Sequence, residues 1–384
     1  MPGAWDGRIL IAPTAFKGTL SPWSAARAMA RGAARAYPTS DRRILPLSDG
    51  GDGFLEALLH GRRGDLVWTE AEDALGRRRP VAWGALDGGR LAVVELARAV
   101  GIAGLPPPTP NSAATSGSEG LGTVLAAALA SSPQRLFVGL GGSASTDGGA
   151  GMARRLGYRL LDRQGRDLPP GGAALVELDR IVAPPHRRSA GVEVVGACDV
   201  SAPLLGPSGA AQVFGPQKGA DATTVRGLEA GLERLRWVVA RDLRVEAAEI
   251  PGSGAAGGAG FGLVAFCGAR LVPGVELVAE LLGLDSELDG AGLVVTGEGR
   301  LDRQSFSGKV VGAVVGRARR RGLPCLVVAG SADRAAALRL QGLGAVLQLC
   351  GDPGSAPGSS LERAVYAACG ELALGADAPR PGPQ

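Results

Sequence analysis

The sequence predicts an α/β protein: a parallel-sheet domain assembled from both ends of the chain, interrupted by a second α/β domain with a mixed sheet. Three observations carry this. Short, continuous apolar runs alternate with helical stretches near both termini, the pattern of strands buried on both faces by crossover helices. In the middle, three strand-like runs follow one another with no helical stretch between them. A helix and a further strand come next, so a parallel pairing is added to antiparallel ones.

Near the N-terminus, Arg8–Ala12 reads as a strand and Pro22–Gly32 as a helix entered through a glycine-containing loop. Ile44–Leu47 reads as a second strand and Phe54–His60 as a second helix. The middle runs are Asp65–Trp68, Arg79–Trp83 and Leu91–Glu95, followed by a helix over Glu119–Ala130 and a strand over Leu136–Leu140. Toward the C-terminus, Leu293–Thr296, Cys325–Ala329 and Ala345–Leu349 read as buried strands, separated by helices over Val310–Arg321 and Ala332–Leu340. This places residues 1–65 and 290–374 in one discontinuous domain, 66–289 in the inserted domain, and 375–384 in a disordered tail. No fixed-period repeat is present.

With 45% hydrophobic and 20% charged residues, the 384-residue chain can bury a large core. A formal charge of +4, spread along the chain, makes no case for nucleic-acid or membrane binding. The N-terminus lacks the features of a signal peptide, and no apolar run is long enough to span a bilayer. Five scattered cysteines with no CxxC pair fit buried thiols in a reducing cytosol, so a cytoplasmic location is expected. The two histidines, His60 and His186, stand at surface-like positions without ligand spacing, which argues against zinc or triad chemistry.

The basic residues are nearly all arginine; the three lysines are Lys17, Lys218 and Lys309. Each lies in a glycine-rich, loop-like context. A compact ammonium meets a phosphate or carboxylate in a tight site where a guanidinium fork does not fit, so all three are candidate functional residues. Their loops belong to a set of six at predicted strand ends, where open α/β sheets bind ligands. APTAFKGTL (12–20) carries Lys17 just before a helix N-terminus. PLSDGGDGF (46–54) sets Asp49 and Asp52 around two glycines, suited to Mg²⁺ or a substrate hydroxyl. GLGGSASTDGGAG (139–151) offers Gly141, Gly142 and Ser143 as a phosphate cradle and Asp147 as a metal ligand. The stretch 197–220 contains Asp199 and Lys218, PGSGAAGGAGFG (251–262) contains Gly257 and Gly258, and TGEGRLDRQSFSGK (296–309) contains Glu298 and Lys309. Backbone amides, compact cations and scattered carboxylates are what phosphoryl transfer requires.

No Walker P-loop is present, because Val310 follows Lys309 where a hydroxyl residue is needed. GLGGSA (139–144) and GSGAAG (252–257) match dinucleotide fingerprints, and Asp162 follows the first at a suitable distance. In a chain of 62 glycines such matches carry little weight.

Taken together, DGGDG (49–53), GGSASTDGGAG (141–151), CDV with PLLG and GAAQVFGPQKGA (198–220), GAAGGAGFG (254–262) and TGEGRLD (296–302) resemble the type I glycerate kinase family. The resemblance covers about residues 8–370. It implies ATP- and Mg²⁺-dependent phosphorylation of D-glycerate, usually at the 2-hydroxyl to give 2-phosphoglycerate. It also implies a flavodoxin-like domain with an inserted domain similar to the restriction-endonuclease fold. Lys17, Asp49, Asp147, Asp199, Lys218, Glu298 and Lys309 fall on family signature positions. The expected division of labour makes Lys17, Asp199 and Lys218 catalytic and Asp49, Asp147 and Glu298 the Mg²⁺ set. Gly141, Gly142, Ser143, Gly257, Gly258 and Lys309 are expected to bind ATP. The implied partner is a small-molecule substrate, with no nucleic acid or membrane, for a monomer or homodimer. The chain departs from the family pattern at Thr14-Ala15, where Asp-Ser is usual, at Ala202, where Asn is frequent, and at Glu119-Gly120, where the order is usually reversed. The alternatives are a kinase for another small hydroxy acid, a sugar-acid sensor without turnover, and a nicotinamide-dependent oxidoreductase.

Overall fold

The computed structural model describes residues 5–306, 308–351 and 356–372; the tail read as disordered, 375–384, lies outside them. In chain order the strands are β1 (Arg8–Ile11), β2 (Asp41–Ile44), β3 (Gly64–Glu72), β4 (Arg78–Leu86), β5 (Leu91–Glu95), β6 (Arg135–Gly139) and β7 (Arg159–Leu161). They continue with β8 (Arg180–Val182), β9 (Glu193–Ala197), β10 (Arg270–Val272), β11 (Leu293–Leu301), β12 (Cys325–Ala332) and β13 (Val346–Leu349). The chain divides into two compact units. The first comprises residues 1–49, 56–61 and 275–384, and the second 50–55 and 62–274.

In the first unit, five parallel strands run in the order β13-β12-β11-β1-β2. Counted within the unit this is the 2-1-3-4-5 order of flavodoxin-like sheets, whose switch point lies between β1 and its third strand, here β11. The central strands are apolar because helices cover both faces: Ile9, Ile11, Leu293, Val295, Leu326 and Val328 pack with one face of the helix Pro22–Ala36. That helix starts where Ser21 Oγ accepts from Ser24 N–H (3.2 Å) and Pro22 occupies the first turn. β2 departs from the sequence reading of Ile44–Leu47. Its residues are Asp-Arg-Arg-Ile, tolerated because β2 is the sheet edge and pairs with β1 alone. The apolar Leu45–Leu47 continues past it, hydrogen-bonded to Ile11 O and Pro13 O (2.9 Å each).

The return to this unit comes at Val275, ahead of the boundary at 290 read from the sequence. The helices Gly274–Leu282 and Leu284–Asp289 explain it. Arg317 pairs with Glu276 (2.5 Å) and Asp285 (3.4 Å), and Leu282 lies against Gly61, all within the first unit.

The second unit holds a six-stranded sheet in the order β10-β9-β6-β5-β4-β3. β3, β4 and β5 are antiparallel neighbours, whereas β5-β6, β6-β9 and β9-β10 are parallel. This is the mixed sheet expected from three strands, a helix and a strand. β5 and the helix Glu119–Ala130 have the bounds read from the sequence. A two-stranded antiparallel sheet, β7-β8, completes the unit. Its core packs the buried sides of β5 and β6 with Leu121, Val124 and Leu125 of the helix Glu119–Ala130 and with Phe261, Leu263 and Phe266.

Candidate active site

In the first unit the signature residues gather at the carboxyl ends of β1, β2 and β11, around the switch point. Lys17 is exposed at the tip of a tight loop closed by Phe16 and Leu20, with Gly18 at φ +77° making the turn possible. Asp49 follows the extension of β2 and is half-buried. Glu298 lies within β11, which runs five residues beyond Thr296, where the sequence reading ended it. Two glycines allow the extension. A Cβ on Gly297 would stand 2.0 Å from Val328 O, and one on Gly330 would stand 2.6 Å from Gly299 O. Lys309 is the N-cap of the helix Val310–Arg320.

The Glu298 carboxylate is the electrostatic centre of this group. Burial holds its pKa above the usual glutamate range; the Ser305 hydroxyl and Lys309 pull it down, and Asp302 and Asp49 push it up. Among the described residues its Oε1 is buried without a hydrogen-bond partner. A buried, orphaned carboxylate oxygen near a second carboxylate suits a divalent cation. Among the described residues no group of three or more His, Cys, Asp or Glu forms a metal cluster. Mg²⁺ fits this arrangement, since it commonly takes one or two protein carboxylates and completes its shell with water and phosphate.

Ionised Glu298 therefore costs stability in the absence of a cation. Its folded pKa is raised, so the folded state holds a proton that the unfolded state has released, and stability falls as pH rises from the unfolded value through the folded one. Glu298→Gln is expected to raise the thermal midpoint of the ligand-free protein at pH 7 by roughly 2 °C, measured by calorimetry. An unchanged or lower midpoint would show that the charge is compensated.

In the second unit the glycine-rich loops pack on one another. Asp147 is 0% exposed, and its carboxylate is fully engaged. Oδ2 accepts from Ser118 N–H (2.9 Å), Ser118 Oγ–H (2.7 Å) and Gly151 N–H (3.0 Å), and Oδ1 accepts from Gly149 N–H (3.1 Å). Lys218 is 4% exposed; its ammonium donates to Ser145 O (2.5 Å) and Thr146 Oγ1 (3.4 Å). Burial pulls its pKa down to about 7, with the Asp147 charge opposing. Gly257 and Gly258 take φ of +70° and +86° beside Ala256 at +53°, a left-handed turn that bends the segment Ala255–Cys267. A Cβ on Gly257 would lie 2.0 Å from Ser145 O and 2.8 Å from Lys218 Nζ, and one on Gly258 would lie 2.8 Å from Gly148 Cα. These two glycines are what lets the loops touch.

Gly141 and Gly142 serve a second close approach. A Cβ on Gly141 would meet Gly51 Cα at 2.5 Å, and one on Gly142, at φ +65°, would meet Asp52 Oδ1 at 3.3 Å. Ser143 Oγ turns into its own loop and accepts from Ser145 N–H (3.1 Å). Asp199, half-buried beyond β9, accepts from Gly274 N–H (2.9 Å), which fixes its carboxylate.

Residues to which sequence reasoning gave no role complete the scaffold. Buried Glu95, at the end of β5, accepts from Gly53 N–H (3.3 Å) and Leu55 N–H (3.0 Å), and Arg98 stands 3.5 Å away. Burial raises its pKa despite these partners. Ser118 bridges Asp147 and Met152 N–H. Glu119 pairs with Arg154 (3.2 Å), and its pKa is raised by burial and then by the Asp147 charge. The histidines keep their expected exposure, with His60 stacked on Trp23 (ring centroids 3.9 Å apart). Four of the five cysteines are buried, and Cys350 is half-buried. No helix among the described residues is long and apolar enough to cross a membrane.

Comparison with known proteins identifies the family. The model of the glycerate kinase family matches residues 9–367. A glycerate kinase of Halalkalibacterium halodurans is 40% identical over 84% of this chain and 85% of its own. The glycerate 2-kinase of Escherichia coli is 36% identical over 89% of this chain and 90% of its own. A crystal structure described as a candidate glycerate kinase 2 from Salmonella typhimurium LT2 superposes with a TM-score of 0.83 at 36% identity, covering 96% of this chain and 98% of that one. A flavodoxin-order sheet carrying Lys17, Asp49, Glu298 and Lys309, and the extent of these matches, lead to one assignment: the chain belongs to the glycerate kinase family, and it is an enzyme.

Proposed function

We propose that the protein transfers the γ-phosphate of ATP to D-glycerate, with Mg²⁺, at the 2-hydroxyl to give 2-phosphoglycerate. The observation that carries this reading is the switch-point group of the first unit, where compact cations and a buried, orphaned Glu298 oxygen adjoin the Asp49 charge. Similarity to a glycerate 2-kinase supports the acceptor and the position.

Glu298 and Asp49 would hold Mg²⁺, which when bound neutralises charge on the phosphate oxygens. Lys17, on its exposed turn, binds phosphate as a point charge. Lys309 opens an eleven-residue helix whose N-terminal amides favour an anion. Gly141, Gly142 and Ser143 supply backbone amides to the nucleotide. Asp199 orients the attacking hydroxyl and accepts its proton. The hydroxyl oxygen forms the new bond to phosphorus, the bond from phosphorus to the β,γ-bridging oxygen breaks, and ADP leaves with the electron pair.

For three of the expected residues we propose other roles. Asp147 already accepts from four donors, three of them on Oδ2, so we assign it to organising the loop and balancing Lys218 rather than to the metal. Lys218 binds Ser145 and Thr146 rather than substrate. Gly257 and Gly258 act by close packing.

A coupled ADP-release assay with ATP, Mg²⁺ and D-glycerate, with the product read by phosphorus NMR, tests the proposal. Turnover to 2-phosphoglycerate is expected. Formation of 3-phosphoglycerate would overturn the position, and no ADP release from folded protein would overturn the acceptor.

A further inference from the structure

β3 is the terminal strand of the second unit's six-stranded sheet and the longest sheet edge among the described residues. It has nine residues, whereas the other terminal strands of the two larger sheets, β2, β13 and β10, have four, four and three. Sheet edges are ordinarily kept from pairing by brevity, by lysine or by proline. β3 contains neither residue; its charged residues are Asp65, Glu70 and Glu72, and between them it carries Leu66 (45% exposed) and Trp68 (63% exposed) on one face.

The hydrogen-bond phase of β3 is fixed by its two ends. Asp87 N–H donates to Arg63 O at one end, and Asp73 N–H donates to Arg77 O at the other (2.8 Å each). Odd-numbered residues therefore bond toward β4. In an antiparallel ladder alternate residues turn the opposite way, so Gly64, Leu66, Trp68 and Glu70 direct their N–H and C=O to the open edge. A second β3, related by a two-fold axis through Val67, places each Leu66 opposite the other copy's Trp68 at a hydrogen-bonded position. The same register sets Gly64 opposite Glu70. It also brings Arg62, which pairs with Asp87 in its own copy, opposite the other copy's Glu72, which pairs with Arg155, so ion pairs of opposite orientation meet at each end of the edge.

We propose that two copies of this chain associate through β3, making one sheet continuous across a two-fold axis with a Leu66–Trp68 pair on either side of it. The edge is self-complementary in backbone phase, in apolar side chains and in charge, which selects a second copy over an unrelated strand.

The test is the solution mass of the full chain. Sedimentation equilibrium is expected to give twice the 38.6 kDa chain mass at micromolar concentrations. Trp68→Lys is expected to give the single-chain mass, with unchanged circular dichroism and thermal midpoint. Leu66→Pro deletes an edge-directed N–H and no bond to β4, and it should do the same. Val67→Cys sits at the closest cross-axis approach, and oxidation should join two chains there, while Val213→Cys on another exposed surface should not. A wild-type protein that stays monomeric, or a dimer that survives both Trp68→Lys and Leu66→Pro, would overturn the proposal.

Discussion

Asp199→Asn is expected to lower turnover by about 100-fold or more, the usual range for removing a group that accepts a proton in the transition state. The substitution is nearly isosteric, and the amide oxygen can still accept from Gly274 N–H, the contact that fixes the native carboxylate. The fold should therefore survive, and KM for ATP should hardly move while kcat falls. The check is steady-state ADP release alongside a thermal melt of both proteins. A folded Asp199→Asn enzyme with undiminished kcat would remove Asp199 from the chemistry.

Asp147→Asn is expected to act on stability first. The native carboxylate accepts from four donors in a fully buried position. An amide has one oxygen to accept with, and it turns an NH₂ toward N–H groups that are themselves donors. At about 1–3 kcal/mol for each donor left unsatisfied, the loss is about 2–5 kcal/mol. The change also strips Lys218 of the negative charge that supports its ammonium. At about 2–4 °C per kcal/mol for a unit of this size, the melting midpoint should fall by about 10 °C. Were Asp147 a metal ligand instead, the melt of the Mg²⁺-free protein would barely change and the Mg²⁺ dependence of turnover would shift.

Much of the architecture was legible because burial writes itself into composition. Continuous apolar runs such as Leu293–Thr296 and Cys325–Ala329 correspond to strands that helices cover on both faces, and β5 needed no adjustment. β2 was misplaced for the same reason. Its Asp-Arg-Arg-Ile segment looks like a loop, and only its position at the sheet edge makes it a strand. The extension of β11 through Glu298 depends on Gly297 and Gly330 allowing two backbones to meet, which no single stretch of sequence reveals. At the site, the scarcity of lysine singled out three positions. It could not separate exposed Lys17 from buried Lys218, because the partners of Lys218 stand over seventy residues away. Ser118, Glu95 and Thr146 left no local signal, since each acts by contact with a loop distant in sequence.

The position of β1 constrains how the molecule can be made. This strand lies between β2 and β11, so its second neighbour is supplied by residues about 280 positions later. While the chain emerges from the ribosome, β1, β2 and the apolar face of the helix Pro22–Ala36 have no β11 to pack on until the whole inserted unit has been synthesised. The insertion, contiguous apart from residues 50–55, can gather its own core in that interval. The closing contacts of the first unit thus join residues far apart in sequence, and from loop-closure entropy their formation is expected to be the slow step of folding. A polypeptide ending before residue 293 would keep the second unit's residues and leave the N-terminal strands exposed as a degradation signal.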